Sequence, residues 1–173
     1  MLEVRKRYAS PRTGTWLEVT ERADGNMKFE RSFASGTGRA DPHLHQDLTQ
    51  TWEVLSGEGM IEVDGDVREF RTGDRVAIPP GMIHRDPWNT NSAELHARGT
   101  FEPINDFIEA YAEAYVHHLT ETGRLDDQDE MPLLRHPHSP CRRSAVTWRQ
   151  AIVAAVLSGR RGTRRIGWSS RGG

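Results

Sequence analysis

Cysteine is almost absent from this chain: Cys141 is the single one among 173 residues. One thiol excludes an internal disulfide framework and agrees with a reducing compartment. Long apolar runs are missing too, and no stretch approaches the length a membrane-spanning helix needs. Behind Met1, the segment Leu2-Glu3-Val4-Arg5-Lys6-Arg7 has no apolar centre. No secretory leader is therefore expected, and the expected location is cytoplasmic. Only 35% of residues are hydrophobic and mean hydropathy is −0.71, which points to a substantial polar segment on a chain long enough for one domain.

That polar segment is betrayed by a second absence. Residues 131–173 carry nine arginines but no lysine and no acid, whereas residues 1–130 hold all 25 acids and 14 basic residues. Three readings stand side by side. The segment is a basic arm for a polyanion, a terminus with little packing of its own, or the product of a reading-frame change near Leu134. The two readings without a partner are favoured, so the tail is expected to be poorly ordered and nucleic acid is not expected as a partner. His136 and His138 fall in its Pro-rich part and lack a framework to act as ligands. No nucleophile triad, phosphate-binding loop or pair of acid/base carboxylates appears in the motifs.

What is present is alternation. Met27, Phe29, Arg31 and Phe33 alternate with Lys28, Glu30 and Ser32, the pattern of a half-buried strand. Trp52–Leu55 and Gly59–Val63 continue it, and Asp64-Gly65 supplies the central pair of a type I′ hairpin turn. Arg71–Asp74 forms the next turn, with Val76 and Ile78 pointing inward after it. Ala93, Leu95, Ala97 and Phe101 share one face of a last strand, and His96 and Arg98 share the other. Over 104–122 the period lengthens. Ile104, Phe107, Ile108, Tyr111, Tyr115 and Leu119 predict a helix, with Asn105 or Asp106 as N-cap and Gly123 as stop. This helix is expected against the outside of the strand assembly.

Two histidine motifs carry the chemistry. His43 and His45 are separated by one residue, so in extended chain they share a face about 7 Å apart. Pro79-Pro80-Gly81-Met82-Ile83-His84 delivers a third imidazole from a separate strand system. Three neutral imidazoles converging inside a closed sheet suit a first-row transition metal.

The arrangement resembles the cupin superfamily over roughly residues 36–103. Gly38, His43, His45, Gln50 and Gly57 follow the order of the first cupin motif. Gly73-Asp74, Pro79-Pro80-Gly81, His84 and Asn89 follow the second, with the asparagine one residue late. The resemblance implies an all-β fold: a single jelly-roll barrel (double-stranded β-helix) of two antiparallel sheets, with the helix appended at its C-terminal end. Residues 1–35 would add N-terminal strands, 36–103 the core domain and 104–122 the helix. It also implies a metal site of His43, His45, Gln50 and His84 for Fe, Mn, Ni or Zn. Most metal-binding cupins carry glutamate where Gln50 stands; an amide brings no charge to offset a dication, so weaker binding is expected. Glu53 lies on the opposite face of the strand and is no substitute.

Arg31, Trp52 and Trp88 are the candidate substrate-pocket residues. Arg31 shares an apolar face, where a guanidinium needs a partner: a substrate carboxylate or phosphate, or an acid on a neighbouring strand. Trp52 lines the pocket or fills it. The resemblance implies a small-molecule ligand and either a metal-dependent enzyme (an oxidoreductase of dioxygenase type, or an isomerase) or a non-catalytic metabolite-binding or sensory cupin. A homodimer is expected because Leu17 and Val19 make one face of the segment Thr15–Val19 apolar. The other possibility is that this strand covers its own barrel.

Overall fold

The sequence alternation is realised as ten strands and one helix in a computed structural model that describes residues 1–38, 42–122 and 167–169. The strands are β1 Arg7–Ala9, β2 Trp16–Ala23, β3 Asn26–Phe33, β4 Thr49–Ser56, β5 Glu58–Val63, β6 Asp66–Arg71, β7 Arg75–Ile78, β8 His84–Trp88, β9 Leu95–Glu102 and β10 Gly167–Ser169. They form two antiparallel sheets, one ordered β1-β2-β3-β9-β4-β7-β10 and the other β6-β5-β8. Gln50, Trp52 and Val54 of β4, Met27, Phe29 and Phe33 of β3, and Leu95, Ala97 and Phe101 of β9 turn inward and are buried. The β5–β6 turn has positive φ at both Asp64 (53°) and Gly65 (80°), as a type I′ turn requires. The C-terminal helix α1, Asp106–Thr122, is also present, with Asn105 Oδ1 accepting the Ile108 amide hydrogen at 3.0 Å as its N-cap.

The helix position differs from the expectation. Three strands cannot cover seven, and Leu17, Val19, Met27 and Phe29 extend the inner face of the large sheet. Helix α1 packs over that inner face, not the outside. Tyr111, Ala112 and Tyr115 line the same cavity as those four residues, and Ile108 and Leu119 are fully buried. Ion pairs from Arg22 to Glu109 and from the N-terminal amine to Glu113 fasten its outer side. Burial of Leu17 and Val19 in their own barrel removes the reason for expecting them to pair with a second chain.

On the outer face of the large sheet, His96 and Arg98 share Glu30, at 3.1 and 2.8 Å. In the tail, Gly167–Ser169 pairs antiparallel with β7. The remainder of the tail, including Cys141, His136 and His138, lies outside the described residues, as does Gly123.

Candidate metal centre

Backbone hydrogen bonds bring the two histidine motifs together. His43 and His84 form an antiparallel bridge, each amide donating to the other's carbonyl at 2.9 and 2.8 Å, and the Gly81 amide donates to the His45 carbonyl at 2.7 Å. Gly81 has a φ of 77°, a conformation that favours glycine. Asn89 is spent on structure: its amide group donates to the Phe33 and Ala93 carbonyls at 2.8 and 2.6 Å.

The site lies between the sheets. Gln50 comes from β4 of the large sheet, His84 from β8 of the small one, and His43 and His45 from the segment between β3 and β4. One ring nitrogen from each histidine lies within 4.8 Å of the other two. Gln50 Oε1 is 2.7 Å from His84 Nε2 and 3.2 Å from His45 Nε2. His84 is 1% exposed and His45 9%. Burial foremost, then the neighbouring His43, lowers their pKa values to about 3 and about 4, so both imidazoles are neutral near pH 7.

The protonation pattern tests whether a metal fits. His84 Nδ1 is 3.0 Å from the Met82 carbonyl, which can only accept, so Nδ1 carries the hydrogen. In neutral His84, Nε2 then has a bare lone pair, and it faces the lone pairs of Gln50 Oε1 at 2.7 Å. Two acceptors in that arrangement call for a cation between them. A backbone carbonyl fixing the far nitrogen is the usual outer support of a metal-bound histidine. The donor set fits a divalent first-row ion held by His43, His45, His84 and Gln50.

Asp86 is the residue sequence reasoning missed. Its Oδ1 accepts from Gln50 Nε2 at 3.1 Å and from the Trp52 indole N–H at 3.2 Å. It stands 3.9 Å from His43 Nε2 and 4.0 Å from His84 Nε2. Burial alone would push this carboxyl up, but the surrounding His43, His84, Arg31 and His45 outweigh it and hold it below its ordinary value. Asp86 thus turns the Gln50 oxygen toward the imidazoles and supplies the negative charge that Gln50 lacks. The signal was available: His84-x-Asp86 repeats the i, i+2 logic of His43-x-His45.

Of the pocket candidates, Arg31 and Trp52 line a cavity that reaches the site through Asp86 and Phe101, while Trp88 does not. Trp88 is buried elsewhere. On β8 three residue steps, Arg85 to Trp88, oppose two on β5, Glu62 to Met60, and this bulge breaks the alternation that would have turned Trp88 inward. Glu53 sits on the outer face, 3.9 Å from Arg98, as its parity requires.

Two sheets closed over histidines from two separated motifs define a class, and comparison with known proteins agrees. Residues 29–97 match the family described as the cupin domain. An RmlC-like cupin from Shewanella frigidimarina superposes with a TM-score of 0.50 at 20% identity, covering 60% of this chain and 88% of that one. A protein of Thermus thermophilus does so with a TM-score of 0.50 at 16% identity, covering 57% and 90%. Both likenesses concern the fold. An uncharacterized protein of Aquifex aeolicus is 33% identical over 54 residues, 31% of this chain. That alignment spans 42% of the relative's length. Over residues 29–97 the chain matches the cupin domain, and its two-sheet fold is of the same kind.

Proposed function

We propose that this cupin is a metal-dependent enzyme acting on a small organic molecule, of dioxygenase type. The observation that carries this reading is the meeting of three imidazoles and the Gln50 oxygen beside an ionised Asp86 that itself lines an apolar cavity. When bound, a redox-active ion such as Fe(II) or Mn(II) supplies one-electron chemistry and open coordination positions for small ligands. His43, His45, His84 and Gln50 would hold it, and Asp86 would lower the charge of the site by one unit. Leu17, Val19, Phe29, Phe101 and Tyr111 give the substrate's side an apolar lining.

An isomerase would need a base to move a proton. Among the described residues lining the cavity, Asp86 is the one carboxylate, and a carboxyl held below its ordinary value is a weak base. That favours redox chemistry over proton shuttling. Gln50 by itself favours a non-catalytic binding cupin, but Asp86 restores the missing charge and weakens that reading. The test is a screen of small organic acids, alcohols and phenols for oxygen consumption by protein loaded with Fe(II) or Mn(II). Consumption lost on chelation and restored by metal is expected. Ligands that bind equally with and without chelator, with no turnover of any of them, would leave a binding protein instead.

A further inference from the structure

Arg31 projects from β3 into the cavity and is 5% exposed. A buried guanidinium ordinarily has an acid or several carbonyls around it, because burying it unpaired is costly. Here its Nε has no hydrogen-bond partner, and among the described residues the guanidinium forms no hydrogen bond or ion pair. Its neighbours are ring faces, Phe33 at 4.4 Å and Tyr115 at 4.9 Å from the guanidinium carbon. Rings offset part of the charge but offer no lone pair to the N–H groups. Asp86 lines the same cavity and its charge is felt by Arg31, yet no hydrogen bond joins the two and its Oδ1 is taken by Gln50 and Trp52. A cation with an unpartnered Nε–H, set among Leu17, Val19, Met27 and Phe29, matches a molecule with one anionic end and an apolar body. The planar fork selects a carboxylate in particular.

We propose that Arg31 anchors the carboxylate of a compact aliphatic acid in this cavity, with the acid's apolar end among Leu17, Val19 and Phe29. The cavity volume is about 40 Å³, space for roughly three water-sized groups, which suits an acid of about two to four carbons. This assignment names the substrate class of the proposed enzyme, and it rests on that reading only for the chemistry that follows binding.

The experiment is an NMR titration of chelator-treated full-length protein with propanoate, propanamide and benzoate, following the Arg31 Nε–H and Trp52 indole N–H resonances. Propanoate should saturate, move the Arg31 Nε–H downfield, and bind at least about tenfold more tightly than propanamide, as one charge-assisted pair warrants. Benzoate should bind more weakly than propanoate. Arg31→Met should remove the propanoate response, and Arg31→Lys should keep only part of it. Equal binding of acid and amide, an unmoved Arg31 resonance in the wild-type protein, or full propanoate affinity in Arg31→Met would overturn the assignment. Because no metal is present in this titration, propanoate binding at Arg31 upholds the anion site even if metal loading fails, and its absence defeats the site even if metal binds.

Discussion

At position 50 the cupin pattern usually places a carboxylate, and this chain places the carboxylate at 86 instead. Gln50 and Asp86 work as a pair, the amide N–H of one held by Oδ1 of the other at 3.1 Å. Gln50→Glu would set two carboxylates against each other. We expect it to lower the stability of chelated protein by about 1–3 kcal/mol, through the lost bond and the new repulsion, while tightening metal retention. Thermal unfolding with and without metal reads both effects, and greater stability without metal would contradict the pairing. Asp86→Asn should weaken metal affinity by at least about tenfold, as outer support of a metal site commonly does. Metal titration against a competing chelator measures it; unchanged affinity would remove Asp86 from the centre.

Helix α1 and strand β8 mark where elements were legible and where they were not. The 3.6-residue period gave the helix, and Asn105 as its cap was one of two candidates. What the period could not give is the surface it covers, because that depends on how much of the large sheet the small one leaves open. Strand β8 escaped notice because Pro87 interrupts it and a bulge spoils its alternation, a combination tolerated only at such irregularities. Asp86 was missed with it. Strands β3, β4 and β9 were legible because each alternates without interruption. Asn105→Ala should cost about 1 kcal/mol by freeing the Ile108 amide, without altering the histidine cluster. Denaturant unfolding checks this, and an unchanged midpoint would mean the cap contributes nothing.

For the whole molecule, the buried histidines make stability depend on pH. His45 and His84 have values of about 4 and about 3 in the folded chain against an ordinary 6.5. Below 6.5 the unfolded chain takes up protons that the folded chain refuses, so stability falls as pH drops toward 4. The slope reaches up to about 1.4 kcal/mol per pH unit for each histidine. Asp86, held below 3.8, acts in the same direction at the acid end: its contribution is present above its unfolded value and is lost as pH falls through its folded one. Urea unfolding of chelated protein at pH 7.5 and 5.5 should show a clear loss at the lower pH, and equal stability would contradict burial of neutral imidazoles. Both motifs and the barrel could be read at this scale, since spacing along the chain records them. The cavity and the unpartnered Nε of Arg31 could not, because they depend on what the neighbouring strands fail to supply.

The most direct test is the metal content of protein purified without added metal, beside the same measurement on His84→Ala. We expect close to one divalent first-row ion per wild-type chain, and its loss from the variant at unchanged secondary structure. Metal far below one equivalent that reloading does not raise, or the same content in His84→Ala, would contradict a metal centre at these histidines.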